Sequence, residues 1–181
     1  MLRLIEDLLE LARAETGQMS LSLQRVQLSK LVQQVVDDYR PAAEARGLHL
    51  NLSLGDGLPE ISTDPQRVEQ VLGNLLSNAV KYTPPGGQVG VRVATDRRSN
   101  DDGRGVLIEV ADNGPGIPKD QLENVFQEFH RLHGSEQPGA GLGLAIGRRV
   151  ARLLGGDIKA QSDRGAGSRF ILTLPTDGHR A

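Results

Sequence analysis

Residues 64–94 read DPQRVEQVLGNLLSNAVKYTPPGGQVGVRVA, and two periodicities within this one stretch decide the fold class. Asp64 followed by Pro65 is a capping side chain with proline at the first helical position. The helix it opens runs to about Tyr82, where TPPGG ends it. Val68, Leu72, Leu75 and Ala79 recur at helical spacing and share a face that must meet a core. Beyond the glycines the period drops to two, and residues 88–95 alternate as a strand.

The same alternation of periods continues outward. Upstream, LHLNLSL (48–54) reads as a strand, and GDGLP turns the chain after it. Ser29 is the expected N-cap of a helix to about Arg46, with Leu31, Val32, Val35, Val36 and Tyr39 inward and Gly47 closing it. MSLSLQRV (19–26), in which Met19, Leu21 and Leu23 alternate, reads as a short strand. Residues 2–15 form an amphipathic helical pattern through Leu4, Ile5, Leu8, Leu9, Leu11 and Ala12, with Gly17 as its stop. Downstream, residues 105–111 make a second strand across the polar loop DRRSNDDGRG, followed by a short helix at 119–128. GAGLGLAIGRRVARLLGG (139–156) is a helix entered and left through glycines, and GGDIKAQSDRGAGSRFILTLP is strand, tight turn, strand. Strands before, between and after helices indicate an α+β two-layer sandwich.

Bulk properties narrow the function classes. The chain has 181 residues, 38% hydrophobic and 24% charged, the profile of a globular domain. A net charge of −2 gives no electrostatic ground for nucleic acid or an anionic membrane as partner. Without cysteine there are no disulfides or thiolate metal sites. No apolar run approaches the roughly 18 residues of a membrane span. With five aromatic residues, the core must be built from Leu, Val and Ile.

Three stretches carry possible chemistry. Asn74, Asn78 and Lys81 fall on one stripe beside the apolar face of their helix. They read either as a solvated polar edge or as amide oxygens for a hard cation with a lysine for phosphate. DNGPGIP (112–118) follows a strand directly; it is either an Asx turn at Asp112 or a place where Gly114 and Gly116 let a ligand approach. GAGLGL (139–144) offers bare amides at a helix N-terminus, suited to an anion, or a flexible hinge. It matches neither the P-loop nor the dinucleotide fingerprint.

Taken in order, NLLSNAVKYT (74–83), DNGPGI (112–117), FQEF (126–129), GAGLGL (139–144) and GAGS (165–168) resemble the nucleotide-binding boxes of sensor histidine kinases. That family's ATP-binding domain is similar to those of gyrase-type topoisomerases, heat-shock chaperones and mismatch-repair ATPases. The resemblance implies a mixed sheet with helices on one face and ATP between the helices and a lid at 132–140. It implies that Asp112 reads the adenine amine and that Asn78, with Asn74, supplies oxygen to Mg²⁺. Lys81 would approach the phosphates, and Tyr82 and Ile117 would flank the base over Gly114 and Gly116. Phe129 and Arg131 match an F-x-R element in which the arginine meets the γ-phosphate. Gly139, Gly141 and Gly143, with Leu142 and Leu144, would form the lid hinge and phosphate-facing amides, and Ser168 the pocket rim.

Gyrase-like relatives carry a glutamate base where this chain has Asn74, and an amide takes no proton usefully. The resemblance therefore favours phosphoryl transfer over fast ATP hydrolysis. The acceptor segment, a histidine in a sequence like H-E-L-R-T-P, is missing: His49 begins a strand, His130 and His133 border the lid, and His179 lies in the tail. LIEDLLELARAETGQMSL resembles the end of a dimerisation hairpin, exposing Leu4, Leu8 and Leu11. The expected division is 1–17 hairpin helix, 18–175 catalytic domain and 176–181 loose tail, as a piece of a longer kinase. The implied partners are ATP, the parent kinase's phosphoacceptor helix and a response regulator, in a cytoplasmic setting, with no nucleic acid or direct membrane contact. A nucleotide-gated interaction module and an anti-sigma-factor-type serine kinase share these boxes. The N-terminal helix argues against the latter.

Overall fold

In the computed structural model, residue 9 and residues 19–96, 105–131 and 140–177 are described. Of the expected N-terminal helix only Leu9 falls among them, helical and exposed. The expectations for Gly139, His133, His179, the polar loop after Asp96 and most of the lid and tail fall outside these residues.

The elements in chain order are β1 (Gln24–Gln27), α1 (Leu28–Glu44), β2 (His49–Leu54), β3 (Glu60–Thr63), α2 (Pro65–Tyr82), β4 (Gln88–Asp96) and β5 (Gly105–Asp112). Two 3₁₀ turns, Lys119–Gln121 and Asn124–Phe126, precede α3 (Gly143–Leu153), β6 (Asp157–Ser162) and β7 (Ser168–Pro175). Five strands form a mixed sheet in the order β2-β4-β5-β7-β6, parallel only between β2 and β4. β1 and β3 pair separately and antiparallel.

One face of the sheet is covered. Val89, Val91 and Val93 of β4, Val106, Ile108 and Val110 of β5 and Phe170, Leu172 and Leu174 of β7 are buried with Val32, Val36, Leu72, Leu75, Ile146 and Val150 of the helices. The strict alternation predicted this, since every second residue of a strand points to one side. On the other face Glu109 stands between Arg92 (3.8 Å) and Arg169 (3.6 Å). The α+β two-layer class, with a mixed sheet and helices on one side, holds.

Three local expectations are corrected. The strand read over 19–26 exists only at its end: Met19, Leu21 and Leu23 lie before it, and pairing begins at Gln24, in register with Thr63. Their alternation reflects half-burial, because Met19 and Leu21 lean on the core while the Ser22 amide donates to Asp64 instead of to a ladder (2.9 Å). Ser29 is not the cap of α1: the helix starts two residues earlier, behind Gln27, which makes no side-chain cap. Residues 119–128 form two separate 3₁₀ turns rather than a helix. β3, short and next to a turn, lacked a long enough alternation to be read.

Asp64 does cap α2: one carboxylate oxygen accepts from the Arg67 amide (3.3 Å) and the other from Ser22. Only 5% exposed, it serves two orphan donors at once. Asp64→Ala is expected to cost about 2 kcal/mol, one part for the cap and one for the stranded Ser22 amide. A lower urea midpoint with an unchanged slope would register it. Asp64→Ser keeps a capping oxygen but is too short for both donors, and is expected to lose about half as much.

Candidate nucleotide site

The residues singled out by sequence come together along one continuous seam where β5, the end of α2 and the start of α3 meet. Asp112 is the last residue of β5 and pairs directly with Ser168, the first of β7. Its Oδ1 accepts the Gly114 amide at 2.8 Å, and the Ser168 amide also points at the carboxylate. Burial pushes the Asp112 carboxyl above the ordinary aspartate range, and these two amides offset only part of that. A half-buried carboxylate with spare lone pairs is a directional acceptor for an N–H donor from a ligand.

The turn after Asp112 is built by close backbone approach. A Cβ on Gly114 would stand 2.8 Å from Asp112 Oδ1 and 3.1 Å from the Tyr82 carbonyl oxygen, so the C-terminus of α2 abuts this turn. Gly116, with φ +73°, lies against the Asp163 carbonyl, and the Gly165 amide donates to the Pro115 carbonyl at 2.7 Å. The Ile117 amide donates to Ser162 Oγ at 2.7 Å, and that hydroxyl donates to the Gly167 carbonyl. Asn113 accepts from the Gln88 amide at 2.7 Å and so ties the turn to β4. Gly114 and Gly116 thus have packing reasons inside the protein as well as any ligand reason.

At the end of α2, Thr83 stops the helix, its hydroxyl donating to the Ala79 carbonyl at 2.6 Å. Lys81 Nζ lies 4.7 Å from the centre of the Tyr82 ring and donates to its hydroxyl at 3.2 Å. Tyr82 remains 36% exposed, a flat surface beside Gly114.

Gly143 opens α3, and a Cβ there would be 3.7 Å from the Asn74 amide; one at Gly147 would be 3.9 Å from it. Two glycines four apart give α3 a smooth stripe on which Asn74 lies. Gly141, with φ +74°, runs against the backbone of Phe129 and His130, its Cβ position 2.7 Å from the His130 carbonyl oxygen. Leu142 is buried and Leu144 packs on the core, so the GAGLGL box is anchored by its leucines and bent by its glycines. No side chain caps the N-terminus of α3 and no acidic residue sits in its first turn. Phe129 adopts φ +59°, rare for a residue with a Cβ, and is 58% exposed, with Arg131 exposed beside it.

Ser168, Asp112, Gly114 and Tyr82 are thus successive neighbours, as are Asn74, Gly143, Gly141 and Phe129, and α2 carries Asn74 and Tyr82 and so joins the two groups. Ile117 differs in being buried in the core. Asn78 and Lys81 share the Asn74 stripe of α2, nearer its C-terminal end. Sequence reading missed Asn113, Ser162 and Gly167; the G-x-G in GAGS signalled only a tight turn, and its docking on Asp112 is a tertiary fact. Among the described residues no group of three or more His, Asp or Glu gathers as a metal site, and no helix is long and apolar enough to cross a membrane.

Known proteins share this arrangement. KinB, the alginate biosynthesis sensor protein of Pseudomonas aeruginosa, is 40% identical over 172 residues, 95% of this chain and 28% of KinB. The adaptive-response sensory kinase SasA of Synechococcus sp. (strain JA-3-3Ab) is 37% identical over 173 residues, 95% of this chain and 45% of SasA. The chain spans less than half the length of these relatives. The crystal structure of full-length ShkA in complex with AMPPNP matches with a TM-score of 0.87 and 32% identity, over 99% of this chain and 36% of ShkA. The family profile described as histidine kinase-, DNA gyrase B-, and HSP90-like ATPase matches residues 63–178. That match runs from the cap of α2 to the end of β7 and takes in the whole seam, and the chain belongs to the histidine kinase-, DNA gyrase B- and HSP90-like ATPase family.

Proposed function

We propose that this chain is the Mg²⁺-ATP-binding catalytic domain of a two-component sensor histidine kinase, set in the cytoplasm. Residues 18–175 are assigned to that domain and residues 1–17 to the dimerisation hairpin. The reading rests above all on Asp112: a half-buried carboxylate at a strand end, oriented by two backbone amides, with the exposed Tyr82 ring nearby. Adenine offers this carboxylate an amine, whereas guanine presents a carbonyl at the matching ring position. Tyr82 and Ile117 flank the base, and Ser168 and Gly116 border it. The N-terminus of α3, at Gly141 through Leu144, has no side-chain cap and suits phosphate, as do Lys81 and Arg131, with Gly139 assigned to the lid hinge.

The donor set fits a hard cation: Asn78 and Asn74 carry neutral amide oxygens, and Mg²⁺ takes most of its remaining ligands from water and phosphate. When bound, the ion neutralises charge on the phosphates. Asn74 holds no proton-accepting base over the site, which favours transfer to a protein acceptor over hydrolysis. In that transfer the bond from the γ-phosphorus to the bridging oxygen breaks and one to a neutral imidazole nitrogen forms, with ADP leaving. The acceptor histidine belongs to the parent kinase, and a response regulator takes the phosphoryl group next.

Calorimetric titration with ATP and GTP, with and without Mg²⁺, tests the site. ATP is expected to bind, GTP is not, and Mg²⁺ is expected to tighten ATP. Asn78→Ala should lose about tenfold in affinity for Mg²⁺-ATP while leaving metal-free binding unchanged. Equal binding of ATP and GTP, or none by the folded native chain, overturns the reading. Labelling of a supplied acceptor helix from γ-labelled ATP tests the transfer. ATP binding without any labelling would leave a nucleotide-gated module in its place.

A further inference from the structure

Arg148 lies on α3 one turn beyond Leu144, on no stretch to which the sequence assigned chemistry, yet its side chain is only 17% exposed. Its guanidinium spans three elements. Nε and Nη2 donate to the two oxygens of Asp157 on β6, at 3.0 and 3.4 Å. Nη1 donates to Glu123 at 2.8 Å, and the plane lies 4.5 Å from the centre of the Phe126 ring. Phe126 meets Phe170 of β7 edge to face, with centroids 6.2 Å apart. Segment 119–131 has little regular structure of its own, only two 3₁₀ turns. It is held by a sandwich of Arg148, Phe126 and Phe170 at one point and by the Gly141 backbone at Phe129–His130 at another.

We infer that Arg148 is a positioning residue: by fastening Glu123 and Phe126 to α3 and β6 it places Phe129 and Arg131, and thereby sets how strongly the site prefers ATP to ADP. This rests on the nucleotide reading above, in which Arg131 meets the γ-phosphate. A planar fork that bonds two carboxylates while stacking on a ring is work for arginine and not for lysine. The exposed Lys119–Asp163 pair (3.1 Å), with both side chains open to water, cannot substitute for it.

Affinities for Mg²⁺-ADP and Mg²⁺-ATP, measured by calorimetry on the native chain, Arg148→Met, Arg148→Lys and Glu123→Ala, test the inference. Arg148→Met is expected to weaken ATP at least tenfold and ADP less than threefold, and Arg148→Lys is expected not to rescue the ratio. Glu123 is 81% exposed, so Glu123→Ala leaves the core intact; it should weaken ATP two- to fivefold with ADP unchanged. Parallel losses for both nucleotides, or an unchanged ratio in Glu123→Ala and a folded Arg148 variant, overturn the role of Arg148 alone. A native chain that binds neither nucleotide overturns the nucleotide reading itself, a result visible before any variant is made.

Discussion

Asp112→Asn is expected to weaken ATP binding by roughly 10- to 100-fold, the cost of losing a charge-assisted hydrogen bond in a partly buried site, while the folded protein becomes no less stable at pH 7. In the native chain Oδ1 is committed to the Gly114 amide. An asparagine can keep that bond only by turning its NH₂ outward, and a donor then faces the donor of adenine. Stability moves the other way because burial raises the Asp112 pKa, so the folded state resists ionisation more than the unfolded chain does. The folded state keeps its full stability at this group below the unfolded value, near 3.9, and loses part of it as pH rises through the higher folded value. At pH 7 the native protein therefore carries a penalty that the neutral amide does not. Melting temperatures at pH 7 and in the acid range, beside calorimetry with ATP, check both halves. Asp112→Asn should gain on the native chain at pH 7 relative to acid, and a variant that melts much earlier at pH 7 would make Asp112 a structural residue first.

Gly167→Ala is expected to be among the most damaging single substitutions. Its φ of +83° costs a residue with a Cβ about 1–2 kcal/mol. The added methyl would also overlap the carbonyl of Asp112 and stand 2.8 Å from Asn113 Cα, both backbone and unable to swing aside. Overpacking of this kind adds about 1–3 kcal/mol. The sum, about 3 kcal/mol or more, corresponds to a melting point lower by roughly 10 °C for a domain of this size. Gly165 supplies the control within the same turn: its φ is +81°, but nothing lies within 4 Å of its Cβ position. Gly165→Ala should cost the conformational part only. Equal losses at the two positions would mean that the close approach to Asp112 carries no weight.

Much of the fold was legible because periodicity is a local property. Val89, Val91 and Val93 announce a half-buried strand without reference to any other segment, and Asp64-Pro65 announces where α2 begins. β1 was read too early in the chain and β3 not at all: each is four residues long and exists because the other does. The helix expected at 119–128 has the composition of one but is pulled into two 3₁₀ turns by Arg148, Phe170 and the passing Gly141 backbone. At the site, the boxes disclosed which residue types gather there. They did not disclose that Gly143 and Gly147 seat Asn74, or that Ser162 closes the turn after Asp112 from 45 residues away. Arg148 was hidden for the same reason, since its partners at 123, 126 and 157 lie on the second 3₁₀ turn and on β6.

The strand order has a consequence for how the molecule comes into being. β7, the last of the described strands in sequence order, lies in the interior of the sheet between β5 and β6, and its final residue, Pro175, pairs with Gly105 at the start of β5. When synthesis has reached residue 160, α1, α2 and α3 are present while β5 still lacks its β7 neighbour. Long-range pairings of this kind form slowly, and apolar strand edges stay uncovered until they do. Ser168, the partner of Asp112, arrives with that same strand. A nascent chain thus holds neither a closed core nor a complete adenine site, and ligand cannot rescue it early. Truncation before Ser168 would remove an interior strand of the sheet rather than trim an edge.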